Sequence, residues 1–148
     1  MKRFTFRLDR VLDLRVATER DRARELGEAI RGVADRRRAV EASRRQLAMV
    51  HSQAEPGSGV RHAGELRNLG LAVDAARRRA EVDSVAYQAA VTHRQAVLRK
   101  FEEARIARRA LERVRERRRD DWRLDASRME QREVDEVALR RTRAGGHQ

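Results

Sequence analysis

Apolar residues recur at alternating steps of three and four along most of the chain, on both sides of its single proline. Before Pro56 the series runs Leu12, Val16, Glu19, Ala23, Leu26, Ile30, Val33, Arg37, Val40, Arg44 and Leu47, with eight of eleven positions apolar. After it come Leu66, Leu69, Val73, Ala76, Ala80, Asp83, Tyr87, Ala90, Arg94, Val97, Phe101, Ala104, Arg108 and Leu111, with eleven of fourteen apolar. A period near 3.5 held over several heptads is that of coiled-coil helices and excludes a strand's period of two. The break between the series, Ala54-Glu55-Pro56-Gly57-Ser58-Gly59, has the composition of a turn. The fold class that follows is all-α, a long two-helix antiparallel coiled-coil hairpin with a longer C-terminal helix. The whole chain, 1–148, forms one elongated domain: helix 1 over about 5–52, a turn at 53–60, helix 2 over about 61–142 and a disordered tail at 143–148.

Folding the chain evenly at Pro56 sets residue i against residue 112 − i, so Met1 lies opposite Leu111. Leu111 is also where the second series ends, since the next register positions, Arg115, Arg118, Trp122, Asp125, Met129, Arg132, Glu136 and Leu139, are mostly polar. This register predicts a paired stem of roughly 70 Å and a C-terminal overhang of about 45 Å. An overhanging helix has no packing to hold it, so it lives on propensity and i,i+4 ion pairs or sits inside a partner. It carries Trp122, Leu124, Met129, Val134, Val137 and Leu139. An exposed Trp points to contact with another molecule.

Composition narrows the chemistry. Of the 148 residues 41% are charged and 3% aromatic, and there is no cysteine, which excludes a disulfide scaffold and a thiolate metal site. No run approaches the roughly 18 apolar residues of a membrane span, and Arg7, Asp9 and Arg10 interrupt any signal-peptide core, so the expectation is a cytosolic protein. No GxxxxGK[ST] loop is present. His51, His62, His93 and His147 have no ligand spacing, although His51 and His62 flank the turn at similar distances. Paired carboxylates such as Glu102-Glu103 and Asp120-Asp121 would need a cavity to separate their pKa values, and a thin hairpin has none. The expectation is therefore no enzyme, no catalytic residue, no cofactor and no metal.

The net charge of +12 raises a nucleic-acid reading, carried by Arg36-Arg37-Arg38, Arg77-Arg78-Arg79 and Arg117-Arg118-Arg119. Against it, acids are interspersed, aromatics for base stacking are scarce, and consecutive residues on a helix spread over about 200° of its surface. An Arg-rich coiled coil that binds nucleic acid, or a scaffold that dimerises through its long helix, stays open as the alternative. The positive surplus favours an acidic partner.

The two ends carry more specific patterns. The N-terminal stretch reads Phe4-Thr-Phe-Arg-Leu-Asp-Arg-Val-Leu-Asp-Leu-Arg15. Near the other end stand Leu111-Glu-Arg-Val-Arg-Glu-Arg-Arg, then Asp120-Asp-Trp-Arg, then Met129-Glu-Gln-Arg-Glu-Val-Asp-Glu-Val-Ala138. Together these resemble the flagellar export protein FliJ family and its relatives in type III secretion, which open with F-x-F-x-L-x-x-V-L-x-x-R and close with L-E-x-x-x-E-R-R, an aromatic, and E-Q-x-x-x-D-E-x-A. The resemblance implies a non-enzymatic stalk or coupling component, an antiparallel hairpin similar to the central stalk of rotary ATPases, located in the cytoplasm and peripherally at the inner face of the cell membrane.

It implies, too, that the paired ends enter the hexameric flagellar export ATPase and that the tip region meets a membrane export gate protein, with export chaperones as further partners and the chain itself a monomer. Carried over to this sequence, the ATPase-facing residues are Phe4, Phe6, Leu8, Val11, Leu12, Arg15, Arg117, Arg118, Trp122, Glu130, Gln131, Asp135 and Glu136. The gate-facing residues are Leu66, Leu69, Val73 and Ala76, small aliphatics where relatives often have aromatics. Trp122 stands where the family more often has Tyr. The resemblance and the residue pattern meet in the overhang, read as cationic and poorly self-packed, where Arg side chains would pair with acidic ring residues.

Overall fold

In the computed structural model the described residues are 3–55 and 62–145, with side chains described as far as residue 140. They form two helices, α1 (Asp9–Ala54) and α2 (Ala63–Gly145), and no strand occurs among them. The architecture is an all-α helical hairpin of the coiled-coil type.

Local chemistry sets the helix ends. α1 begins at Asp9 rather than near residue 5: the Asp9 N–H donates to the Phe6 carbonyl at 3.1 Å and the Leu12 N–H to the Leu8 carbonyl at 2.9 Å. Asp9 supplies the acidic first turn that complements the positive end of the helix dipole. Before α2, the His62 N–H donates to the Glu65 carboxylate at 3.3 Å, the carboxylate half of a capping box, while the Glu65 N–H donates to the His62 backbone carbonyl at 3.0 Å. The expected turn falls partly on residues 56–61, outside the described residues. α2 continues to Gly145, so positions 143–145, placed in a tail by sequence, are helical, and only 146–148 of that tail lie outside the described residues.

The described chain divides into two compact units, Arg20–Glu103 and Met1–Glu19 with Ala104–Gln148. In the first, the α2 side of the seam follows the heptads: Val73, Ala76, Ala80, Tyr87, Ala90, Arg94 and Phe101 are half-buried, and Asp83 and Val97 are buried. The α1 side differs from expectation. Leu26, Val33, Val40 and Leu47, seven apart, lie in the seam, but their companions are Ala29, Ser43 and Val50 rather than Ile30, Arg37 and Arg44. Ile30 is 51% exposed, and both Arg are exposed. The reason is electrostatic. Turning Ile30 inward would turn Arg37 and Arg44 inward with it, and an unpaired buried guanidinium costs several kcal/mol. Small Ala29 and Ser43 fill those sites instead, and the Ser43 hydroxyl is satisfied by donating to the Val40 carbonyl at 3.1 Å.

Two polar residues in the α2 seam fare differently. Asp83 accepts from Arg79 Nε at 3.0 Å, one turn away. Arg94 keeps its Nε buried without a hydrogen-bond partner. At the tip, His62–Asn68 are all exposed, including Leu66 at 53%, and the α2 seam begins only at Leu69. The first turns of α2 are thus uncovered, as an even fold about Pro56 would not leave them.

In the second unit the register is read directly. Arg108 Nε donates to Glu19 across the two helices and its Nη1 donates to Glu112 on its own. Arg115 Nε lies 3.6 Å from Asp9, and the Phe4 ring meets the Trp122 ring. An even fold at Pro56 would set Glu19 against His93. The observed partner, Arg108, lies about four turns further along α2. The expected pairing of Met1 with Leu111 lies outside the described residues; of the nearby residues, Phe4 reaches Trp122. Oppositely charged seam residues choose the alignment, Glu19 with Arg108 and Asp9 with Arg115. The hydrogen bonds that Arg108 donates, to Glu19 first and then to Glu112, raise its pKa above the ordinary value. A base with a raised pKa stabilises the fold at every pH below its unfolded value, so the guanidinium side of this contact is constant through the physiological range.

Three stability outcomes follow. Glu19→Arg lowers the thermal midpoint followed by circular dichroism, and the swapped double variant Glu19→Arg/Arg108→Glu recovers much of the loss; no recovery would show that the two do not set the register. Arg94→Leu removes the partnerless buried donor and raises stability by about 1 kcal/mol. Gly32→Ala raises it by up to about 1 kcal/mol, because a Cβ there meets no atom within 4 Å.

Candidate docking surfaces

The unit at the chain ends is built from an aromatic lead-in and a long polar helix. Phe6 and Leu12 point into the packing and are only 9% and 5% exposed. Phe4 is half-buried, its ring centroid 6.0 Å from that of Trp122 at a tilt of 54°. Such a pair is worth about 0.5–1.5 kcal/mol beyond the area it covers. Trp122 remains 36% exposed, and Leu8 and Val11 40% each, so a partly apolar rim surrounds the junction. Arg15, Arg117 and Arg118 are exposed around it.

Past Trp122, α2 is held mostly by pairs along itself. Asp120 with Arg123, Asp125 with Arg128, Gln131 with Asp135 and Glu136 with Arg140 are spaced three or four apart. Each such pair stabilises a helix by about 0.2–0.5 kcal/mol. Between 123 and 145 there are six Arg and five carboxylates, so this stretch is nearly balanced rather than cationic. Its distinctive feature is apolar. Val134 and Val137 are 62% and 51% exposed and, with Ala138, floor a shallow open depression edged by Glu130 and Glu133. Positions 130, 133, 134 and 137 form one helical face, and that spacing is legible in the sequence. The stem heptad, extended, runs through Met129, Arg132, Glu136 and Leu139, and the ring-facing residues that the resemblance implies here, Glu130, Gln131, Asp135 and Glu136, do not include the two valines. Of the candidates beyond Trp122, Glu130 edges the depression, whereas Gln131, Asp135 and Glu136 are engaged in the intrahelical pairs.

The four tip candidates separate. Leu66 is exposed, while Leu69, Val73 and Ala76 are half-buried in the seam. Leu71, 61% exposed, was not singled out by the heptad because it lies off the seam. No group of three His, Asp or Glu among the described residues converges as a metal site. His51, His62 and His93 are exposed, and His147 lies outside the described residues. The arginine triplets are solvated and partly paired: Arg37 with Glu41, Arg38 with Asp35, and Arg79 with Asp83. No helix among the described residues is long and apolar enough to cross a membrane.

The family model described as Flagellar FliJ protein matches residues 4–147, a span that takes in the Phe4–Phe6 lead-in, both arms of the hairpin and the helix beyond Trp122. No curated protein and no solved structure matches the chain. A match over nearly every residue, on a chain whose two helices form the hairpin that the terminal motifs lead one to expect, means that the protein belongs to the FliJ family of flagellar export components.

Proposed function

We propose that this chain is a non-enzymatic stalk that couples the hexameric flagellar export ATPase to the membrane export gate. The observation that carries the reading is the junction at the chain ends. Phe4 and Trp122 clasp the two helices together there, and α2 continues past them with an exposed apolar face at Val134 and Val137. A helix so dependent on intrahelical ion pairs is supported better inside a partner than in water. The ring-facing surface would comprise Phe4, Leu8, Val11, Arg15, Arg117, Arg118 and Trp122, with Glu130, Gln131, Asp135 and Glu136 further along. Phe6 and Leu12, being buried, would act by holding the junction in shape. Arg117 and Arg118 would give steering and orientation towards acidic ring residues more than raw affinity. A single rod inside a six-fold ring needs only one copy, so the chain would work as a monomer.

At the tip, Leu66 would make the direct contact with the gate, with Leu69, Val73 and Ala76 supporting it from the seam. Exposed Leu71 extends this surface. Peripheral placement at the inner face of the cell membrane would follow from that contact, and export chaperones would be carried as further partners.

The test uses the full chain and its cognate export ATPase. Val134→Asp/Val137→Asp should weaken ATPase binding at least tenfold in sedimentation or pull-down assays while far-UV circular dichroism of the stem is unchanged. A truncation after Ala126, which leaves the Phe4–Trp122 contact intact, should do the same. Undiminished binding by both proteins would sink the proposal.

A further inference from the structure

Beyond Trp122 the carboxylates of α2 are matched along the helix, with two exceptions. Asp125 lies 3.5 Å from Arg128, Asp135 accepts from Gln131 at 3.1 Å, and Glu136 lies 2.6 Å from Arg140. Glu130 and Glu133 have no such partner among the described residues. Their spacing explains why. A helical side chain meets those three and four positions away. For Glu130 these are Ala126, Ser127, Glu133 and Val134, and for Glu133 they are Met129, Glu130, Glu136 and Val137. None is basic. Of the surrounding arginines, Arg123 is held by Asp120 and Arg128 by Asp125, while Arg132 has Asp135 and Glu136 three and four positions on. Glu130 and Glu133 therefore meet mainly each other, and like charges at that spacing destabilise a helix. They do so in the stretch of α2 that depends most on pairs along itself.

The same two carboxylates edge the depression floored by Val134, Val137 and Ala138. Rows four residues apart, Glu130–Val134–Ala138 and Glu133–Val137, run side by side as neighbouring ridges of the helix. The groove between them is acidic at one end and aliphatic at the other, a turn or about 6 Å further along. Its occupant must match both ends. A second copy does not: laid parallel on itself the face sets carboxylate on carboxylate, and laid antiparallel it sets carboxylate on valine.

We infer that the 130–138 face of α2 docks a basic amphipathic helix of another protein, which sets a Lys or Arg between Glu130 and Glu133 and apolar side chains on Val134 and Val137. The inference rests on the reading that this stretch enters a partner, and it names the chemistry of the segment met there. One such groove is smaller than a standard interface, so the contact is weak alone and its charge pairs set orientation. The chain's net charge of +12 works against it, because a basic helix is repelled at long range. A preference for a basic helix therefore reports the local carboxylates and not the overall charge.

The probe is a fluorescein-labelled amphipathic peptide of 18 residues with Leu along one stripe and Lys on the row beside it. A matched peptide with Gln in place of Lys is the control. Fluorescence anisotropy with the full chain should show the Lys peptide binding at least about fivefold more tightly, with the difference shrinking as salt is raised. Glu130→Gln/Glu133→Gln should abolish the difference while the far-UV spectrum keeps or gains helix. Asp121→Asn/Asp125→Asn, which removes the same charge elsewhere on α2, should leave the difference in place. The inference is overturned if the two peptides bind alike, if Glu130→Gln/Glu133→Gln keeps the preference, or if Asp121→Asn/Asp125→Asn removes it. It is overturned equally if sedimentation velocity shows dimers that Glu130→Gln/Glu133→Gln dissolves. Displacement of the Lys peptide by the cognate export ATPase is expected. A preference without displacement upholds the groove and sinks the ring reading of this stretch, whereas ATPase binding without any peptide preference upholds the ring reading and sinks the groove.

Discussion

The alignment of α1 against α2 is the constraint on which every surface of this protein depends. Two helices alone bury one stripe each, so no third element corrects a slip, and apolar heptads repeat closely enough for several registers to bury similar area. Charged seam residues break that degeneracy. In the observed register Glu19 accepts from Arg108. Glu112, one turn along α2, joins the same guanidinium, and Arg115 reaches Asp9 from the next turns. A polar contact in a coiled-coil seam is a poor source of stability and a good source of register. The consequence is positional: this register, not the apolar pattern, sets Phe4 over Trp122.

Much of this was legible in the residues because a 3.5 period has only one structural meaning over this length. The α2 seam could be named position by position from Leu69 to Leu111, polar Asp83, Arg94 and Arg108 included. What could not be read was the phase of one helix against the other. Leu26, Val33, Val40 and Leu47 fit a seam completed by Ile30 or by Ala29, and hydrophobicity favours Ile30. The fold chose Ala29, because rotation is shared by the whole helix and Arg37 and Arg44 would have followed. Likewise, placing the axis on Pro56 treats the connection as a point, whereas eight residues separate Ala54 from Ala63. Past Trp122 the stem heptad runs on through Met129, Arg132, Glu136 and Leu139 and misses the exposed Val134–Val137 face.

Polar seams also explain why this stem is not packed for maximum stability. Arg94 sits in an a/d position with a buried Nε that nothing satisfies, and Gly32 sits in mid-helix where no neighbour requires it. Neither is needed to make a hairpin. A stem with such soft points melts more readily than an idealised one, and natural chains are rarely near their stability optimum.

In a two-helix stem, about half of each helix faces water by geometry, and the default content of that half is charge. This chain follows the default closely enough for the exceptions to carry meaning. There are three on α2: the uncovered first turns with Leu66 and Leu71, the exposed pair Val82 and Val85, and the Val134–Val137 face. Each is apolar where packing demands nothing, and the last is bordered by glutamate. Apolar area at these positions buries nothing within the chain, so it stays in water unless another molecule covers it.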